Sequence, residues 1–122
     1  MITLYGINNC DNIRKTKQWL ENQNLDFIFH DYKKLGCTAG LAKTLLQELE
    51  IKNVINTKGT TWRNLPNSLK HNFNRESAII VMQENPSVIK RPILDIYGQW
   101  MVGFKIEKLI ALTEELTVLN LE

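Results

Sequence analysis

The chain has 122 residues, 43% hydrophobic and 23% charged, with six glycines and three prolines. That is enough apolar material for one packed core, expected as a single domain over residues 1–122, and it excludes collagen-like, low-complexity and intrinsically disordered classes. Fifteen basic against thirteen acidic residues leave a formal charge of +2, too weak a field to point to direct nucleic-acid binding or to a membrane.

The first residues, Met1-Ile2-Thr3-Leu4-Tyr5, enter an apolar strand pattern with no basic leader, long apolar region or cleavage site. No run of roughly eighteen apolar residues follows, so a cytoplasmic location, where thiols stay reduced, is expected. Ile2 to Tyr5 reads as a buried strand closed by Gly6. A helix follows, with Asn8, Asn9 and Asp11 as capping side chains and Ile13, Thr16, Trp19 and Leu20 as its stripe, stopping at Asn22-Gln23-Asn24. Leu25, Phe27 and Phe29 alternate with Asp26, Ile28 and His30, a second strand leading into a basic turn over Asp31 to Gly36. Right-handed crossover makes these two strands parallel neighbours.

Leu41, Leu45, Leu46 and Leu49 mark an amphipathic helix with Thr38 as N-cap. Asn53 to Leu65 is polar and without period, and reads as a loop. Pro66 opens a short helix, and Ser77 to Glu84 forms another, with Ala78, Ile79 and Met82 inward, before Asn85-Pro86 breaks it. This middle section reads as a helical insertion. Ile93 to Tyr97 and Trp100 to Val102 flank Gly98-Gln99 as a hairpin. Lys105 to Leu116 closes the chain as a helix carrying Ile106, Leu109, Ile110 and Leu116. A parallel strand pair, then an antiparallel hairpin, covered by helices, matches an α/β fold with a thioredoxin-like mixed sheet and a helical insertion, one option among several on pattern alone.

Cys10 falls where the first strand's turn enters the first helix. There a sulfur faces free backbone N–H groups and the positive end of the helix dipole, a setting that favours thiolate. Arg14 and Lys15 lie one turn on, and with Asn9 they are candidate anion-binding residues. One sulfur can attack but cannot release itself, so a second thiol is required. Ile13 stands where the second cysteine of a C-x-x-C motif would be, and Cys37 opens a different helix with no role expected of it. A soluble thiol such as glutathione is the simpler resolving agent.

Arg91 precedes Pro92 at the start of the third strand, so extended geometry fixes its direction. In thioredoxin-like sheets this position lies beside the nucleophile with the proline cis, which makes Arg91 a candidate bidentate ligand for an oxyanion or carboxylate. Arg63 and Lys58 are weaker candidates in the polar segment, and Trp62 is core or pocket wall. His30 and His71 have no partner at ligand or triad spacing, Asp31 and Asp95 read as structural carboxylates, and no metal site is expected.

The segments Tyr5 to Asp11, Lys17 to Glu21, His30-Asp31-Tyr32, Asn56 to Leu65, Pro86 to Pro92 and Val102-Gly103-Phe104 resemble, in order, the arsenate reductase (ArsC)/Spx family, and within it the YffB-type branch. The resemblance implies a nucleophile at Cys10, an oxyanion-binding arginine at Arg91 and a cis proline at Pro92. It further implies a thiol-dependent reductase with no bound cofactor, glutathione as co-substrate and glutaredoxin as a partner. Arsenate reductases of the family hold their intermediate with three arginines. Here only Arg91 is matched, with Asn56 or Thr57 at the second position and Val102-Gly103-Phe104 at the third, which removes charge-assisted bonds worth ~1.5–3 kcal/mol each. Two alternatives stay open: an arsenate reductase, and a non-catalytic Spx-like transcription regulator binding the RNA polymerase α subunit, although Ile13 removes the C-x-x-C switch common among the latter.

Overall fold

Apolar alternation over Ile2–Gly6 places Ile2 and Leu4 on one face of a strand, β1, and both are buried. The computed structural model describes the chain through Leu121, and its side chains through Glu114. Its contacts divide it into two compact units, residues 1–30 with 91–122, and residues 31–90 between them.

In the first unit β1 leads into helix α1 (Asp11–Asn22), then β2 (Phe27–Asp31); after the inserted unit come β3 (Ile93–Ile96), β4 (Gln99–Val102) and α8 (Ile106–Leu121). The four strands form one mixed α/β sheet in the order β2-β1-β3-β4. β1 and β3 are antiparallel with Leu4 opposite Leu94, and β3 and β4 are antiparallel with Leu94 opposite Met101. Side chains alternate across a strand, so this register gathers Ile2, Leu4, Leu94, Ile96 and Met101 on one face. Ile13 and Leu20 of α1 and Leu109 of α8 complete the cluster. Helical spacing brings Ile13, Thr16 and Leu20 onto the buried side of α1. Thr16 satisfies its hydroxyl by donating to the Asn12 carbonyl at 2.6 Å.

Gly6 is required for space. A Cβ there would run into the Ile13 side chain, 2.8 Å from Cγ1 and closer still to Cδ1, so its absence lets α1 lie directly on β1. The hairpin turn is Tyr97-Gly98, one residue earlier than expected. Both residues have positive φ (52° and 87°), the primed two-residue turn whose twist matches the strands, and the Asp95 carboxylate accepts the Gly98 N–H at 2.7 Å. α8 runs beyond the expected Leu116, whose side chain lies outside the described residues.

The second unit is helical, in keeping with the expected insertion. α2 (Tyr32–Leu35) converts the expected basic turn into a single helical turn, because the Asp31 carboxylate caps it through the Lys33 N–H at 2.9 Å. α3 (Ala39–Glu48) starts at the expected Thr38, whose hydroxyl accepts the Leu41 N–H. It packs on α7 (Arg75–Glu84), burying Ala42, Leu45 and Leu46 against Ala78, Val81 and Met82. α7 begins two residues before the expected start, since Asn74 caps it through the Ser77 N–H. Val81 takes the inward place expected of Ile79, which is half-buried.

The expected loop over Asn53 to Leu65 is instead structured. α4 (Ile51–Val54) and α5 (Thr60–Arg63) flank a bridge of Ile55 with Ile89. The Asn56 N–H to Val88 carbonyl and Lys90 N–H to Val54 carbonyl bonds, at 2.8 and 2.7 Å, secure that bridge. α6 (Asn67–Lys70) follows Pro66, which is its cap rather than its first residue, and Pro86–Val88 is a 3-10 turn. The Trp62 ring packs edge-on against Phe73, centroids 4.9 Å apart. Among the described residues, no helix is long and apolar enough to cross a membrane.

Candidate functional site

The register of the two central strands defines one end of the first unit. Tyr5 of β1 pairs with Ile93 of antiparallel β3, so the chain leaving β1 toward Cys10 and the chain entering β3 from Arg91-Pro92 meet at the same end. The Arg91–Pro92 peptide is cis, as the resemblance implied. Pro92 is buried, and its carbonyl accepts the Gly103 N–H at 2.8 Å. Arg91 is half-buried there.

Cys10 is the N-cap of α1, with extended backbone (φ −117°, ψ 130°) and a carbonyl that accepts the Arg14 N–H at 3.1 Å. Its side chain makes no capping hydrogen bond, so the thiol stands at the helix entrance, half-buried, without being consumed by the helix. The caps expected from Asn8, Asn9 and Asp11 are not formed. Asn9 is exposed in the turn before Cys10, and Lys15 is exposed on α1. Arg14 directs its guanidinium to the Asp11 carboxylate in its own turn. Both partners are well exposed, and such a pair adds little stability, but it engages the cation placed closest after the cysteine.

Arg63 belongs to the second unit, on α5, where it is exposed and donates to the Thr60 hydroxyl at 3.4 Å. Cys37, also in the second unit, is 5% exposed, and burial pushes its thiol up to about 11. Lys58 donates its backbone N–H to the Asn56 side chain at 3.2 Å.

Sequence reasoning missed the residues around the loop from Gly6 to Cys10. Asn8, assigned there to capping, accepts instead from the Lys17 ammonium at 2.8 Å, and that ammonium lies 3.8 Å from the centre of the Phe29 ring. A nine-residue separation follows no helical or strand period, so only the folded chain reveals it. On the sheet face opposite the cluster of Leu4 and Leu94, Tyr5 packs between His30 and Trp100, with centroids at 5.3 and 5.9 Å. Burial, then the Asp95 charge, pushes the Tyr5 hydroxyl above its ordinary range. Among the described residues, no group of three or more His, Cys, Asp or Glu could hold a metal ion. Two surface clefts of this unit surround Leu25, at the far end of α1 from Cys10.

The N-cap cysteine and the cis Arg91–Pro92 peptide thus lie at one end of the two central strands. The model of the ArsC family matches residues 5–112 of the chain. The chain belongs to the ArsC family. Among solved structures, this ArsC-family chain is similar to a YffB protein at 36% identity and a TM-score of 0.86, over 91% of this chain and 97% of that one. It is also similar to an arsenate reductase (ArsC) related protein from Brucella melitensis at 41% identity and a TM-score of 0.71, over 90% and 92% of the two chains. A curated relative, the global transcriptional regulator Spx 2 of Bacillus cereus, is 26% identical over 111 residues, 89% of this chain and 84% of the regulator. The fold is therefore the thioredoxin-like fold of the ArsC family, with arsenate reductase and Spx proteins among its relatives.

Proposed function

We propose that this ArsC-family protein is a glutathione-dependent thiol reductase in which Cys10 is the nucleophile and Arg91 orients an anionic group of the substrate. The observation that supports this reading most is the free, half-exposed thiol at the N-cap of α1, at the same end of β1 and β3 as the cis Arg91–Pro92 peptide. The Cys10 thiolate attacks one sulfur of a substrate disulfide, so a Cys10 mixed disulfide forms, the substrate S–S bond breaks and one substrate thiolate leaves. Glutathione then attacks the Cys10 sulfur and expels the second substrate thiol. A second glutathione attacks the Cys10-bound glutathione, releasing glutathione disulfide and the Cys10 thiolate. Two glutathiones are oxidised for one substrate disulfide reduced.

Arg91 supplies a planar cation suited to a carboxylate or oxyanion, and the free N–H groups of the first turn of α1 stabilise developing negative charge at the sulfur. Asn9, Arg14 and Lys15 are proposed as further anion contacts, with Arg14 available once it leaves Asp11. The test is incubation with glutathione disulfide, followed by peptide-level mass spectrometry. A glutathione adduct at Cys10 that dissolves on adding glutathione is expected. A Cys10 that forms no adduct overturns the proposal.

The similarity to Spx 2 favours a second reading, a transcription regulator that binds the RNA polymerase α subunit. Pull-down with the C-terminal domain of that subunit separates the two, and absence of binding removes the regulator.

A further inference from the structure

Lys17 occupies an unusual place. The buried side of α1 runs Ile13, Thr16, Leu20, and the next position at helical spacing from Ile13 is Lys17, which is half-buried at its margin. From that margin the ammonium reaches across the strand–helix connection on the solvent side. It finds two partners, the Phe29 ring on β2, 3.8 Å from ring centre to Nζ, and the Asn8 side-chain oxygen at 2.8 Å. Asn8 lies two residues before Cys10, in the connection left when Gly6 lets Ile13 seat α1 directly on β1.

Only residues 7 to 9 carry the chain from strand to N-cap. On the helix side Cys10 is tied by its carbonyl to the Arg14 N–H; on the loop side Asn8 is tied to Lys17, which is itself held over Phe29. We propose that Lys17 is a positioning residue for Cys10. Through Asn8 it braces the turn that aims the thiol, so that an attacking sulfur meets a disulfide along the required line. This rests on the reading of Cys10 as a nucleophile toward disulfides.

The experiment compares the full-length wild type with Lys17→Met, Lys17→Arg, Asn8→Ala and the Lys17→Met/Asn8→Ala double variant. Methionine keeps the stem packed on Phe29 while removing the donor, and Asn8→Ala breaks the same tie from an exposed loop position. For each, the rate of Cys10 mixed-disulfide formation with glutathione disulfide is set against alkylation by iodoacetamide, a small reagent with weaker demands on orientation. Lys17→Met and Asn8→Ala should each slow the disulfide reaction roughly fivefold and alkylation less than twofold. The double variant should be no slower than the slower single variant, and Lys17→Arg should stay within about twofold of wild type, because guanidinium donates and stacks as well.

Equal losses with both reagents, losses that multiply in the double variant, or a Lys17→Met rate equal to that of an active wild type would overturn the role of Lys17 and leave the reductase reading standing. A wild type that forms no Cys10 adduct overturns both.

Discussion

The two cysteines sit at closely similar places in the chain and in opposite chemical circumstances. Each follows a tight turn and precedes a long helix. Cys10 is itself the N-cap of α1 and makes no capping bond, whereas Cys37 stands one residue outside α3, whose cap is Thr38. Cys10 is half-exposed; Cys37 is buried, with its S–H directed at the Thr38 carbonyl 3.8 Å away. The nearby glycines differ too. Gly6 is needed because Ile13 fills the space of a side chain, while Gly36, with open space around it, is needed for its backbone (φ 70°, ψ −168°). A position near a helix entrance does not by itself leave a thiol accessible: Cys10 at the cap is open in part, and Cys37 just outside one is buried.

The largest expected effect divides the two thiols directly. Cys10→Ser should lower glutathione-adduct formation by roughly a hundredfold or more, while Cys37→Ser leaves it within about twofold, read by intact-protein mass spectrometry. An adduct that moves to Cys37 would erase the distinction. Next come the glycines. Gly6→Ala should cost ~1–3 kcal/mol through overpacking, and trimming Ile13 to Val should recover part of it. Gly36→Ala should cost about as much through backbone strain, with no recovery from trimming a neighbour. Denaturant unfolding of these three variants checks both statements.

Alkaline pH sharpens the comparison further. Burial holds the Cys37 thiol protonated up to about 11, while in the unfolded chain it ionises near its ordinary value of 9.0. Stability from this source is complete below that value and is lost as pH rises toward 11, because the unfolded state releases its proton first. The raised Tyr5 hydroxyl acts in the same direction. Urea midpoints measured between about pH 8 and 10.5 should therefore fall, and Cys37→Ala should flatten the slope. The smallest effect concerns the caps: Thr38→Ala should cost ~1 kcal/mol of stability, and Cys10→Ala much less, since no capping bond is lost. Thermal melts of the two single variants test this.

Much of the first unit was legible in the chain because its signals are local. Alternation in Ile2 to Tyr5 and the stripe of Ile13, Thr16 and Leu20 each report a period that the folded chain keeps, and in the second unit the Thr38 hydroxyl before Leu41 likewise reports its cap. Asn53 to Leu65 shows no period in the sequence because its order comes from a distant partner, the bridge of Ile55 to Ile89, and from single helical turns too short to show one. The hairpin turns one residue earlier than Gly98-Gln99 suggests because Tyr97 adopts positive φ, which side chains rarely do. At the candidate site, the position of Cys10 and the pairing of Arg91 with Pro92 could be read directly. The Arg14–Asp11 pair and the Asn8–Lys17 bond could not, since long side chains choose partners only after the backbone has set their reach.

The Tyr97-Gly98 turn has a consequence at the far end of its hairpin. Counting back from it, Ile96 meets Gln99, Leu94 meets Met101 and Ile93 meets Val102, and one step on, Gly103 reaches the Pro92 carbonyl. The turn thus acts as the zero mark of a ruler whose last graduation lies beside Arg91. A single residue inserted within one arm would rotate Met101 out of the core and shift Gly103 off its mark, so length changes in the arms keep the register only when taken equally from both.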